Sequence, residues 1–590
     1  MAELTSQPTP IQTIYDWYRS GKLMVNRNYQ RKLVWTLAEK QKLIDSIMNR
    51  YPIPLVLLAE PQGSDPAVFE IIDGMQRLHA ILSFIENSYP TADDMFFDTD
   101  EFPRAKDERE SGKFSIDKNS RNLTRSDVAK VLDYVLPVSI IRNASPAVVT
   151  DVFNRINSYG HKLSEQERRQ AGQLTTISRF VRELSCEIRG DVSVDTLPLY
   201  KMPEISVDLP RQQAGYAVKA TEVFWVKQGI LRSTDLRDSL DEQLISDIAL
   251  CIVSELIERS RDVLDEAFNP TSEPGKEAEA NLTAYGTERL GEEIKYCIET
   301  IEKIVHECND VTLNKLIFQN PNNNSFATVF SSIFLAIHEI SFKEDMILSD
   351  FSKASSGLKN IQSNMNTSRN ALSPDQRRGN IDLVKGKIRD SFVKGDISKI
   401  AFGKTREIDI ENTVRRSAIE NPTFEMKQGI LRLDSDRAID NNVFSKVIQT
   451  ICAVSNIGAG YKGAIFVGVA DSHSDAERIK ALDEVEAIDL AGRWIVGIGR
   501  EAKILGITIE KYYQKWRDNI SNSGLSDDLK ASVLAKLDLV NYKDKEIIII
   551  HVEAQNQPSF LDGKLYVRRG EQTVEAPATE VLGVAKRFQL

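Results

Sequence analysis

Leu78, Ile81, Leu82 and Ile85 fall at i, i+3, i+4 and i+7, the apolar stripe of a helix that packs one face inward. Just before them, "AVFEII" (67–72) has the length and composition of a strand, and "IPLVLLAE" (53–60) reads the same way, with "PQGSDP" as the turn between the two. The spacing also predicts helices over "IQTIYDWYRSG", ending at Gly21, and over "LAEKQKLIDSIMNR". Gly74 therefore sits at a junction of strand and helix.

Residues 91–125 are acidic and poor in aliphatics, the pattern of a surface insertion. "YVLPVSIIRN" then predicts a strand. "SPAVVTDVFNRINSYG" predicts a helix capped by Ser145 and stopped at Gly160, and Ser164 and Glu167 form a capping box for the next. Long helical periodicity dominates from about 210 to 345. The stretch 352–380, rich in Ser and Asn, has the composition of a linker. Beyond it, helix and strand patterns alternate again, and the run "EIIIIHVE" predicts a strand buried on both faces.

The expected architecture is multidomain α+β. It has a first α/β domain over 1–200, a helical domain over 201–350, a connecting segment over 351–405 and a mixed-sheet domain over 406–590. A chain of 590 residues is too long for one core, which agrees with that division. With 41% hydrophobic and 27% charged residues and no apolar run near the ~20 residues that span a bilayer, a soluble, cytoplasmic protein is the expectation, with no membrane partner. Five scattered cysteines form neither a disulfide framework nor a zinc ribbon. The net charge of −11 argues against coating nucleic acid by bulk charge but leaves room for a local basic groove.

Two groups of residues carry candidate chemistry. In "DGMQR", Asp73 and Gly74 make a turn and cap at the least. They also suit an anion site, with N–H groups at the helix start, Gly74 allowing close approach and Arg77 adding a bidentate donor. Tyr29, Gln30, Arg31 and Trp35, then Pro52, Ile53 and Pro54, then Asp73, Gly74, Gln76 and Arg77, then Phe153, Asn157, Gly160, Leu163, Ser164 and Glu167 resemble, in order, the family built round an Asp-Gly-Gln-Gln-Arg motif. That family belongs to the ParB-like nuclease superfamily and includes GmrSD-type subunits of modification-dependent restriction systems. The resemblance covers roughly residues 11–175. It implies a ParB-like domain that binds and hydrolyses a nucleoside triphosphate, or in some relatives cuts DNA. Asp73 and Arg77 would be at its catalytic centre, and Arg31, Gly74, Gln76 and Asn157 would help to hold the nucleotide. Met75 stands where the family usually has glutamine.

The second group lies in "IENPTFEMKQGI" and "AIFVGVADS". Three carboxylates converging from different elements can hold a hard divalent cation beside a phosphodiester, although spacing alone leaves open whether they meet. "FEMK", "VIQTICAVSNIGAGYKGAIFVGVAD" and "GKLYVRRGEQTVEA" resemble the Schlafen AlbA-like domain. By that resemblance Glu420, Glu425 and Asp471 occupy the acidic triad of the Schlafen ribonucleases and would bind Mg2+ or Mn2+. Lys427, Lys462, Arg568 and Arg569 would contact nucleic acid. The loop at Ser455–Gly460 departs from the family's Gly-Gly turn, and Ala470 replaces a common acid.

The combined expectation is an antiviral defence nuclease. Its N-terminal domain would bind and hydrolyse NTP or sense modification, its C-terminal triad would cut phage DNA or RNA, and a homo-oligomer or a partner defence subunit is compatible with it. The alternatives are a non-catalytic nucleic-acid-binding regulator, or a nuclease whose N-terminal domain cuts while the C-terminal domain binds DNA.

Overall fold

The computed structural model describes residues 3–27, 30, 32–62, 68–111, 114, 121–159, 164–170, 175–192, 196–206, 217–307, 312–366, 373–402, 405–417, 421–570 and 572–588. The chain is mixed α/β and divides into two compact units, Met1–Lys404 and Thr405–Leu590.

In the first unit a six-stranded sheet is built from β1 (Glu3–Pro10), β2 (Leu23–Asn26), β3 (Val56–Pro61), β4 (Phe69–Asp73), β5 (Val135–Ala144) and β6 (Thr196–Pro198), in the order β1-β5-β3-β4-β2-β6. The pairs β3–β5 and β2–β4 are parallel, and β1–β5, β3–β4 and β2–β6 are antiparallel. Helices α1 (Ile11–Arg19), α2 (Leu37–Met48) and α3 (Met75–Ile85) join the sheet in one apolar core. Leu78, Ile81, Leu82 and Ile85 are buried as their spacing predicts, each worth about 1.5–3 kcal/mol of transfer free energy. Gln76, His79 and Ser83 are buried as well, so α3 is enclosed all round rather than on one stripe. Ser145 and the reciprocal Ser164–Glu167 box cap α4 (Pro146–Tyr159) and α5 (Glu165–Gln170) as expected.

The helical stretch packs within this same unit. Its α7 (Leu240–Val253), α8 (Thr287–His306) and α9 (Ala327–His338) share that unit with the flanking helices α6 (Thr176–Arg189) and α10 (Pro374–Ile388). The polar stretch that resembles a linker contributes to it too. Ala354, Leu358 and Ile361 are buried, and Arg377 at the start of α10 donates to both Asp247 oxygens at 2.8 Å. Its polar composition partly supplies interior ion pairs, which is why composition alone suggests a linker.

The second unit holds a four-stranded sheet of β7 (Phe424–Lys427), β8 (Lys462–Val467), β9 (Leu537–Tyr542) and β10 (Lys545–Glu553), ordered β7-β8-β10-β9. Ile548 and Ile550 face one core with α11 (Asn441–Ser455) and α12 (Ile509–Ser521), and Ile547 and Ile549 face another. The isoleucine run is thus buried on both faces. The short hairpin of β11 (Tyr566–Arg569) and β12 (Gln572–Glu575) packs on α11.

Burial raises the pKa of Glu86, behind α1, to about 7, outweighing the pull of Arg19. The folded chain therefore holds a proton that the unfolded chain releases near the ordinary carboxylate range, and this contribution to stability falls as pH rises from about 4.5 to 7. Glu86→Gln should flatten that part of the melting-temperature profile between pH 5 and 7.5, measured by calorimetry; an unchanged slope would refute the assignment.

Candidate functional site

Strand β4 ends at Asp73, and Gly74 turns the chain with φ +97°, a left-handed conformation that L side chains rarely adopt. A Cβ there would also come within 3.1 Å of Val56 and 3.3 Å of the Arg77 guanidinium. No side chain caps α3, so its first-turn N–H groups are left for other partners. Arg77 Nη2 donates to Asp73 Oδ2 at 2.7 Å and to the Leu55 carbonyl at 3.1 Å. The Arg77 side chain is 12% exposed and that of Asp73 48%, so the guanidinium is held in the wall while the acid faces solvent.

Two glutamines lace the junction. Gln30 Nε2 donates to the carbonyls of Ile71 and Ile72 at 2.8 and 2.9 Å. Gln76 Nε2 donates to the Lys32 carbonyl at 2.7 Å, and its Oε1 accepts from Val34 N at 3.2 Å. Gln76 thus works as a clamp on the 32–34 backbone. Arg31, the Asn157 side chain, Gly160 and Leu163 lie outside the described residues.

These elements line a cavity of about 710 Å3. One wall carries Asp73, Gly74, Met75 and Arg77, with Trp35, Phe153 and Ile156 as its apolar part. The rest includes Arg27 and Lys32, Glu39 and Leu43 of α2, Gln170 of α5, and Arg182, Cys186 and Arg189 of α6 at i, i+4 and i+7, together with Ser239 and Glu242 at the start of α7, from the stretch that the sequence assigns to a separate helical domain. Arg189 donates to Asp191, Asp241 and Glu242 at 3.0, 2.6 and 2.9 Å, Arg27 Nη2 to Asp191 at 3.1 Å, and Lys32 Nζ to Glu242 at 3.1 Å. Burial opposes the charge on Arg189, but the Asp191 and Asp241 carboxylates outweigh it and raise its pKa well above the ordinary value. A second pocket, of about 520 Å3, lies among Ile177, Phe268, Ala280 and Ala284. It is mostly apolar and lacks the convergent charges of the first, so the larger cavity is the candidate site.

In the second unit, the Glu425 carboxylate is shared by Lys427 and by Arg568 Nη1 at 2.9 Å. Arg568, 2% exposed, also donates to the Pro422 carbonyl at 3.1 Å and to Thr573 Oγ1 at 3.0 Å, tying the β11–β12 hairpin to the edge strand β7. Asp471 accepts from Arg493 Nη1 at 2.9 Å. Glu420 lies outside the described residues. Among the described residues no three His, Cys, Asp or Glu side chains converge as a metal centre needs, and the described acids of the triad are engaged by cations, so by themselves they do not make a cation site. Lys462 and Arg569 are presented to solvent, Lys427 is half-buried, and Arg568 is interior. Asn456, in the loop that departs from the family pattern, bonds the carbonyls of Ser559 and Tyr566 at 2.9 and 3.0 Å and the Ser559 N–H at 2.8 Å.

Three substitutions check these roles. Gln76→Ala strands a buried N–H and carbonyl and should cost about 1–3 kcal/mol of stability. Arg568→Ala leaves Glu425 with only Lys427 and should cost on the order of 3 kcal/mol, whereas Arg569→Ala should stay within about 0.5 kcal/mol. Denaturant unfolding of the three variants measures the contrast.

No curated protein and no solved structure was found to match the chain. Two family models do, neither over half of its length: residues 11–172 match the GmrSD restriction endonuclease N-terminal domain, and residues 420–577 match Schlafen AlbA_2. The chain therefore joins a segment similar to the GmrSD N-terminal domain to one similar to Schlafen AlbA_2, as its two sets of motifs predict.

Proposed function

We propose that this protein is a defence nuclease under nucleotide control, with the N-terminal cavity binding and hydrolysing a nucleoside triphosphate and the C-terminal domain engaging nucleic acid. The observation that carries the reading is the cavity at the uncapped start of α3, where Asp73, Arg77 and helix N–H groups share one wall. Its volume suits one nucleotide, and its lining combines donors with an aromatic and aliphatic part. The descriptions of the two matching families support nucleic acid as the target.

In this reading, Asp73, exposed and steered by Arg77, orients the attacking water. The first-turn N–H groups of α3 and the Arg77 guanidinium stabilise the charge that develops on the phosphoryl oxygens. Lys427, Lys462 and Arg569 supply backbone contacts to the nucleic acid. A divalent ion at Glu425 and Asp471 would have to displace Lys427, Arg568 and Arg493, so no step is assigned to it.

The test is phosphate release from ATP, GTP, CTP and UTP by the full chain, alongside cleavage of plasmid DNA and of structured RNA. Asp73→Asn should lower phosphate release by roughly 100-fold and remove the nucleotide dependence of cleavage. No release from any triphosphate by the wild type would sink the nucleotide half of the proposal. No cleavage of either nucleic acid would sink the other half.

A further inference from the structure

Among the described residues six cations line the cavity, and five of them are neutralised locally. Arg77 pairs with Asp73, Arg237 with Glu39, Lys32 with Glu242, Arg27 with Asp191, and Arg189 with Asp191, Asp241 and Glu242. Arg182 is the exception. It is half-buried and makes no hydrogen bond or ion pair among the described residues. Burial lowers its pKa, with the neighbouring Arg27 adding to the effect and Glu242 opposing it.

A second group is unsatisfied in the same lining. Gln170, at the end of α5, is 6% exposed, and its Nε2 is buried with no hydrogen-bond partner among the described residues. A buried amide donor without an acceptor costs about 1–3 kcal/mol, and an unpaired guanidinium in a half-buried site is similarly unfavourable. An oxyanion in the cavity removes the Arg182 cost directly, and it removes the Gln170 cost once the amide, whose Nε2 has no accessible surface in this structure, turns toward it. The uncapped start of α3 lines the same cavity and favours that charge as well.

We propose that Arg182 and Gln170 form, with the start of α3, the polyphosphate-binding part of this cavity, and that its ligand is a free nucleoside triphosphate rather than a nucleic-acid strand. The assignment rests on the nucleotide reading above and adds residues that the motif does not contain, Arg182 lying beyond the matched segment. A cavity of about 710 Å3, lined by β4 and α3, by the 27–43 stretch and by α5, α6 and the start of α7, has the volume for a single small molecule. A polyphosphate supplies enough acceptors for a guanidinium, an amide and helix N–H groups at once.

The experiment is calorimetric titration of the full chain with non-hydrolysable β,γ-imido triphosphates, with the matching nucleosides, with inorganic tripolyphosphate and with a single-stranded oligonucleotide. Arg182→Ala should weaken triphosphate binding ~10-fold or more and leave nucleoside binding unchanged, Arg182→Lys should restore part of it, and Gln170→Leu should weaken it ~5-fold. Tripolyphosphate should displace the triphosphate from the wild type, and the oligonucleotide should not. Because Arg182 has no ion pair among the described residues and its burial is unfavourable, its alanine variant should melt no earlier than the wild type. Should a variant melt early, displacement in the wild type decides: displacement by tripolyphosphate supports the assignment, and indifference to it overturns it. Wild-type triphosphate binding with equal affinity in Arg182→Ala overturns this inference alone. No triphosphate binding by the wild type overturns the nucleotide reading with it, and displacement by the oligonucleotide in place of tripolyphosphate makes the site one for a nucleic-acid strand.

Discussion

The first unit is organised round one backbone constraint, the left-handed turn at Gly74. Strand β4 ends in the middle of a sheet with β2 and β3 on either side, and the chain must leave it at once to place α3 in the core. Glycine is favoured there because φ is +97°, and a Cβ would in addition crowd Val56 and the Arg77 guanidinium. The same turn leaves α3 without a side-chain cap, so a position demanded by packing also produces an anion-binding helix start. Gln30 and Gln76 hold the surrounding backbone to that geometry with four hydrogen bonds.

The cavity beside this turn is shaped by charge more than by apolar packing. Arg27, Lys32 and Arg189 are buried against Asp191, Asp241 and Glu242, an arrangement that rarely adds stability over a hydrophobic core of equal volume. What such a network does provide is position. It fixes α6 and α7 against the 27–34 segment and keeps a polar interior open where aliphatic side chains would close it. Lys40 and Arg377 follow the same pattern elsewhere in the unit, each in an ion pair with a buried acid.

In the second unit a buried carboxylate has a comparable role in the loop after β7. Glu501 accepts from the N–H groups of Ile430 and Leu431 at 2.7 and 3.0 Å and from the Tyr512 hydroxyl at 2.6 Å, and a side chain at Gly429 would overlap it. Asn456 does for the 559–566 backbone what Gln76 does for 32–34. The Glu425–Arg568 pair then joins the β11–β12 hairpin to the edge of the sheet. Residues that resemble a family's chemistry are, in this structure, also its fasteners.

Periodicity and caps were legible without coordinates because they are local. The stripe at Leu78–Ile85, the Ser164–Glu167 box, the doubly buried isoleucine strand and the Gly74 junction all follow from neighbours a few residues apart. Order of motifs along the chain was enough to find both family resemblances. Contacts across long separations were not legible: Arg182 and Glu242 in the wall opposite Asp73, Arg377 on Asp247, Lys40 inside rather than on the surface of α2. A charged residue on a helix has the same sequence signature whether it faces water or a buried partner, and only the fold supplies the partner. The sequence by itself determined the elements and the turn that starts the site. The tertiary structure decided which charges are cancelled there and which one among the described residues, Arg182, has no ion pair, because charge balance depends on distances between residues far apart in the chain.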